Sequence, residues 1–461
     1  GHDSFVSFSS NPVEGGSLSQ SSVRSIFMDS QGGMWLGTYF GGLNYYHPLK
    51  NRFRNITRIP YQNSLNDNVV SCIIEDNERN LWIGTNDGGL NLYNPKTKRF
   101  SYYTLQEGNK EGIGSNNVKA VYVDEKQGRV YIGTHAGGLS VLQRNTGRIE
   151  HFNMQNSELL DDNVYAILPD GEQNLWLGTL QALIRFNPEK RSFTVIDKEK
   201  NGNEIPNRRI TTLFSRQRIW VGGEEGLCIY KVENGEVESL HLIEPTSSLA
   251  GAFINCVYET QNDVFWIGTR EGVYSYNEKK NTIKHYTTAN GLPNNVLYGI
   301  LEDSFGRLWM STNRGLTCFN PETEKFRNFT QTDGIQSNQF NSSSYCRTST
   351  GQMYFGGIAG ITTFRPELLI DNPYTPPVVI TGLRLFNKIV RPDDETEILT
   401  RNIADTESIT LSSHQSAFSL DFVVSNYISG QHNTFAYKLE GYDKEWYYLT
   451  DKQPVSYSNL P

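Results

Sequence analysis

The sequence predicts an all-β chain: four-stranded antiparallel sheets arranged radially, followed by part of a β-sandwich. Two observations carry that prediction. One short phrase recurs eight times, about every 46 residues, and a period of that size marks a stacked or radial repeat. The copies read MWLGTYFGGL, LWIGTNDGGL, VYIGTHAGGL, LWLGTLQALI, IWVGGEEGLC, FWIGTREGVY, LWMSTNRGLT and MYFGGIAGIT, anchored on Trp35, Trp82, Tyr131, Trp176, Trp220, Trp266, Trp309 and Tyr354. The second observation is that turn signals fall roughly every eight to twelve residues between short apolar runs, the rhythm of antiparallel strands.

The unit from Asn68 to Phe100 justifies each element. An apolar run over Val69 to Ile74 reads as a first strand, and the polar stretch Asp76 to Asn80 turns the chain. Leu81 to Thr85 is a second strand, Asn86-Asp87-Gly88-Gly89 a turn, Leu90 to Tyr93 a third strand, and Asn94-Pro95-Lys96-Thr97 another turn. Arg99 to Thr104 alternates and is more polar, as an outer edge strand should be. Asn117-Val118, Asn163-Val164 and Asn295-Val296 repeat the strand entry of Asn68-Val69. Asp29, Asp76, Asp170 and Asp303 each precede their Trp by six residues, where the carboxylate can bond the turn backbone. A single meander cannot bury both faces. Packed radially against its neighbours it becomes a blade, so the repeats predict a β-propeller with the anchor aromatics in the inter-blade core.

Simple counting gives eight blades over residues 1–370. Phe5 to Phe8 (FVSF) resembles an outer strand and is the candidate to complete the last blade, joining the ends of the ring. A seven-bladed ring with one repeat outside it is the alternative. Residues 371–379 (DNPYTPPVV) read as a stiff linker and a natural coupling point, because proline fixes the backbone. The remainder, 380–461, is strand-rich with a different rhythm (VVITGLRLF, ITLS, FSLDFVVS) and reads as an immunoglobulin-like sandwich that stops at Asn459-Leu460-Pro461.

Composition excludes several classes. Net charge is −8 without a long basic run, which argues against direct nucleic-acid contact. Five cysteines cannot form a fully paired disulfide framework; Cys72, Cys256 and Cys346 fall at similar places in their repeats and read as buried small hydrophobes. No apolar run reaches membrane-spanning length. The Gly-Gly pairs are turn glycines, since no lysine or helix follows them as in a phosphate loop, and neither a zinc motif nor a nucleophile elbow is present. No cofactor or metal is expected.

The pattern N-x-V, D-x-x-G-x-L-W-I-G-T and G-G-L resembles the regulator-propeller repeat family. The tail phrase from Tyr437 through Gly441 and Asp443 to Trp446, with Tyr457 to Pro461, resembles the triple-tyrosine domain. In tandem they resemble the periplasmic sensor of hybrid two-component regulators from glycan-degrading bacteria. The resemblance implies seven blades to a propeller and binding of oligosaccharides released from a polysaccharide. It also implies a homodimer, a membrane tether, and a histidine kinase and DNA-binding regulator in the full-length protein that control glycan-utilisation genes.

Variable turn tips on a fixed frame are where specificity is built. The tips between second and third strands therefore supply the candidate ligand residues. Tyr39 and Phe40 can stack on a sugar face; Asn86, Asp87, His135, Glu224 and Asn313 can bond hydroxyls; Arg270 and Arg314 suit a carboxylated or sulfated sugar. Two other classes stay open. A propeller glycosidase or lyase needs carboxylates facing one another across the bond, and Asp87, Glu224 and Glu271 are available, although no spacing singles out a pair. A protein-binding scaffold is the third.

Overall fold

The computed structural model describes residues 7–11, 16–50, 52–105, 112–171, 173–205, 209–215, 218–233, 236–240, 249, 251–260, 264–369, 374–428, 433–449 and 453–458. The chain divides into two compact units, Arg52–Leu369 and a second built from Gly1–Asn51 with Ile370–Pro461.

Arg52–Leu369 is a propeller of seven four-stranded antiparallel blades. Blades 1 to 6 occupy residues 70–103, 118–152, 164–196, 210–239, 254–286 and 297–329, and blade 7 occupies 340–364. The first strands neighbour one another around the whole circle, that of blade 7 lying against that of blade 1. Closure comes from Arg54–Ile56, which pairs as the outer strand of blade 7 with Ile361↔Ile56 and Thr363↔Arg54 in register. Phe53, just before it, packs edge-on against Phe329 and Phe364.

The seven-bladed alternative with one repeat outside the ring therefore holds over the count of eight, and the propeller occupies 52–369 rather than the expected 1–370. The first repeat stands outside the ring because its own outer-strand segment is the one spent on closing blade 7. Of the expected closing strand, Phe5 and Val6 lie outside the described residues, and Ser7 and Phe8 form no strand.

The repeat motif is explained by packing. The seven ring anchors Trp82, Tyr131, Trp176, Trp220, Trp266, Trp309 and Tyr354 are all buried. Asp76 Oδ1 accepts from the backbone N–H groups of Glu78 and Asn80, while Oδ2 accepts from the Trp82 indole at 3.1 Å. Asp303 and Trp309 repeat the bond at 3.0 Å. The six-residue gap is therefore the reach of a carboxylate that shapes a turn and also satisfies a buried indole. The motif glycine is where adjacent blades touch: a Cβ on Gly84 would meet Cys72 Sγ at 2.5 Å and Val118 Cγ1 at 2.8 Å. The motif threonine ties the next turn, with Thr85 Oγ1 donating to Gly89 O at 2.9 Å and Thr312 Oγ1 to Gly315 O at 2.8 Å.

In the second unit, the first repeat forms a three-stranded sheet, Val23–Met28, Met34–Thr38 and Leu43–Tyr46. It keeps the motif bond, Trp35 Nε1 to Asp29 Oδ2 at 2.9 Å. Trp35 meets Tyr427 edge-on, and Gln31 Nε2 donates to Ser425 O at 3.1 Å. The tail is a sandwich-like pair of sheets. One orders Lys388–Val390, Val378–Leu385, Phe418–Val424 and Val455–Tyr457; the other pairs Phe435–Tyr437 with Tyr447–Leu449. Tyr437, Tyr442 and Tyr457 cluster, and Tyr457 Oη donates to Asp443 Oδ2 at 2.6 Å. The ITLS run is not a strand. Of the expected 371–379 linker, residues 371–373 lie outside the described residues, and Val378 already belongs to a strand, as does the expected boundary at 380. Residues 459–461, where the sandwich was expected to stop, also lie outside them. All five cysteines are free thiols.

Candidate ligand-binding site at the mouth of the propeller

The site begins with an irregularity repeated in every blade. Val70 pairs with Thr85 and Cys72 with Gly84, which leaves Ser71 between them unpaired. The same one-residue bulge falls at Lys119, Tyr165, Thr211, Asn255 and Tyr298 in blades 2 to 6. In blade 7 the break runs from Phe340 to Tyr345 and takes in Asn341. The residue before each break (Val70, Val118, Val164, Ile210, Ile254, Leu297 or Phe340) is fully buried. A bulge re-aims the extra side chain out of the sheet. Here it turns at least one residue per blade toward the axis of the ring.

These seven residues divide by length. The short ones staple neighbouring blades: Thr211 Oγ1 donates to Ile254 O at 3.1 Å, and Asn255 Nδ2 to Leu297 O at 2.8 Å. Ser71 Oγ donates to Val118 O, and Asn341 Nδ2 donates to Val70 O at 2.8 Å across the seam of the ring. The long ones reach the turn tips instead. Lys119 Nζ donates to Asn86 Oδ1 at 2.9 Å, and Tyr298 Oη donates to Asn313 Oδ1 at 3.1 Å. Tyr165 Oη lies 3.1 Å from His135 Nδ1.

All seven line one cavity of about 510 Å³, whose wall also includes Asn86, Leu180, Arg209, Phe253, Arg270 and Asn313. That volume suits a small oligosaccharide or a comparable polar molecule. Burial pushes the Tyr165 and Tyr298 phenols up, with the charges of Arg209 and Arg270 opposing the shift respectively, so both stay hydrogen-bonding neutral groups. Burial also lowers the Lys119 ammonium, against the charge of Asp87. Arg270 places its guanidinium 3.7 Å from the centre of the Phe253 ring, a cation–π contact that fixes its direction. Arg209 holds a left-handed backbone at φ 52, as does Ser343 at φ 60 in the same wall. Such conformations cost about 1 kcal/mol or more and concentrate at functional sites.

The expected tip residues separate accordingly. Asn86, Arg270 and Asn313 are brought together in the cavity wall. Asp87 and His135 stand one neighbour away, Asp87 acting on Lys119 by charge and His135 against Tyr165. Glu224 pairs with Arg209 at 3.0 Å. Arg314 is exposed and lies outside the wall. Tyr39 and Phe40 do not belong to the ring, since their turn sits in the first repeat, where the rings pack edge-on at 4.2 Å. Lys119, Tyr165, Arg209, Phe253 and Tyr298 were not expected. The signal was available: in the N-x-V entry, the position after the buried apolar residue carries Ser, Lys, Tyr, Thr, Asn, Tyr and Asn in turn, inside an otherwise apolar strand.

Matches to known families agree with this architecture. Two component regulator propeller repeats match residues 17–40, 64–87, 158–181 and 291–314, and a Y_Y_Y domain matches residues 426–461. The chain thus carries regulator-propeller repeats followed by a Y_Y_Y domain, and in that it is similar to two-component sensor regions. It is similar to the extracellular domain of the hybrid two-component system BT3049 of B. thetaiotaomicron. That likeness has a TM-score of 0.75 and 26% identity, over 96% of this chain and 58% of the other. Histidine kinase P4 of Formosa agariphila is 30% identical over 298 residues, which is 62% of this chain and 22% of that protein. The extracellular domain of BT4673, also from B. thetaiotaomicron, shares the fold at TM-score 0.57 and 22% identity, over 98% of this chain and 61% of the other. The chain therefore spans little more than half of the similar solved domains and about a fifth of the kinase. Among the described residues no helix is long and apolar enough to cross a membrane.

Proposed function

We propose that this chain is the ligand-sensing part of a periplasmic two-component sensor and that its ligand is an oligosaccharide released from a polysaccharide. One observation carries the reading: register breaks in all seven blades aim at least one side chain each into a single cavity that mixes amides, phenols and cations. Sugar hydroxyls need both donors and acceptors, and Asn86, Asn313, Tyr165 and Tyr298 offer both. The exposed parts of the phenol rings and Phe253 give apolar surface for the C–H faces of a sugar. The likeness to BT3049 and to a histidine kinase supports the signalling half of the proposal. Ligand binding would act by favouring one of two arrangements of a homodimer, and it can shift them only by its difference in affinity for the two. A cytoplasmic kinase and regulator in the full-length protein would then control glycan-utilisation genes.

Calorimetric titration with a panel of defined oligosaccharides, with the mixtures assayed for cleavage, tests this reading. Saturable binding of one class without turnover is the expected result. Turnover would replace the sensor with a propeller glycosidase or lyase, and absence of binding across the panel would remove the sugar.

A further inference from the structure

Resting on that reading, we infer that the sugar is acidic, an oligosaccharide carrying carboxylate or sulfate groups held by Lys119 and Arg270. Among the described residues, the cations Lys119, Arg209 and Arg270 line the cavity and no Asp or Glu does. The imbalance is local, because the chain as a whole carries net charge −8. Arg209 is already paired with Glu224. The other two are not: Lys119 donates to the neutral amide of Asn86, and Arg270 lies over Phe253. Among the described residues neither has a carboxylate within ion-pair distance, and Asp87 reaches Lys119 only through longer-range charge.

Leaving a half-buried ammonium without a counter-charge costs free energy in the empty protein. An anionic ligand recovers that cost on binding, whereas a neutral one leaves it in place. The geometry is suited to the task. The contact with Phe253 anchors the guanidinium at the cavity wall, and its N–H fork can receive a planar carboxylate or two sulfate oxygens. Asn313 and Tyr298 beside it bond to each other and can share hydroxyls of the same residue.

Matched pairs of oligosaccharides test the inference: a uronate oligomer against its carboxyl-reduced form, and a sulfated oligomer against its desulfated form. Each is titrated into the whole chain at low and high salt. The charged member should bind at least about tenfold more tightly, with an advantage that shrinks as salt rises. Arg270→Gln and Lys119→Gln, checked for a native circular dichroism spectrum, should each remove most of that advantage. The uronate and sulfate pairs separate the two sources of charge. Equal affinity within about twofold for both members of every pair would overturn the acidic class and leave a neutral-sugar sensor standing. Failure of every member to bind would overturn the sugar reading and the acidic class together.

Discussion

Gly356 and Val70 face one another across the seam of the ring: a Cβ built on the glycine would fall 2.7 Å from Cγ1 of Val70. The same place in blades 1, 2, 3, 4 and 5 is filled by Gly84, Gly133, Gly178, Gly222 and Gly268, each against the apolar strand-entry residue of the next blade. Closure is thus the ordinary blade contact made between the two ends of the ring. Gly356→Ala must push the blade 7 and blade 1 strands apart, and we expect a loss of about 1–3 kcal/mol in urea unfolding, the usual cost of overpacking. An unchanged midpoint would contradict closure at this seam.

The carboxylate six residues before Trp82 is a second stability determinant. Asp76→Ala would orphan the Trp82 indole and two turn amides, and Arg144, which also reaches Asp76, would lose a partner. We expect a cost of about 2–3 kcal/mol in denaturant unfolding. Trp82→Phe in the Asp76→Ala background should then cost less than in the wild type, because the unpaired indole is gone.

Three thiols, Cys72 and Cys256 buried and Cys346 half-buried, give a pH signature. Burial pushes Cys72, Cys256 and Cys346 up to about 12, so each stays protonated in the fold well above the range where it ionises in the unfolded chain. The sign follows from proton counts. Above the ordinary thiol value of about 8.5 the unfolded chain has released protons that the native state retains, so stability falls as pH rises, by about 1.4 kcal/mol per pH unit per thiol. The loss continues until the folded value is reached. Unfolding midpoints between neutral and alkaline pH should show this slope, reduced in Cys256→Ala. At pH 8 the native protein should leave these three thiols unalkylated by iodoacetamide, and denatured protein should expose all five.

Bulge residues of the two lengths should separate stability from binding. Asn341→Ala removes the amide that donates to Val70 O across the seam, and we expect about 1–2 kcal/mol of destabilisation. Tyr298→Phe removes a phenol that faces the cavity and Asn313, and should leave the unfolding midpoint nearly unchanged while weakening ligand binding severalfold. The reverse pattern would contradict the division of roles.

Much of this was legible because the repeat writes the same contact several times. Strands at Leu81–Thr85 and Arg99–Tyr103 follow directly from alternation and turn residues. Even an exception is readable. Blade 6 has Ser311 where the other blades carry glycine; its cross-strand partner is Gly299, and Tyr345 of blade 7 fills the space. Two features were not legible. Ring size depended on whether Phe5–Phe8 or Arg54–Ile56 closed blade 7, and both are short segments next to a repeat that can serve as an outer strand, so local pattern could not choose. The bulge itself was hidden because a strand with one extra residue looks, in sequence, like a strand of ordinary length; only the recurring polar residue at that position marks it. Hence the turn tips Asn86, Arg270 and Asn313 were foreseen, while Lys119, Tyr165 and Tyr298, aimed by the bulges, were not.

The most direct test of the account is calorimetric titration of the oligosaccharide panel into the wild-type chain and into a Lys119→Gln/Tyr298→Phe variant that still unfolds at the wild-type midpoint. The cavity reading predicts saturable, turnover-free binding to the wild type and a loss of at least about tenfold in the variant. Undiminished affinity in the variant would show that the ligand binds elsewhere, and would contradict the assignment of this cavity as the sensing site.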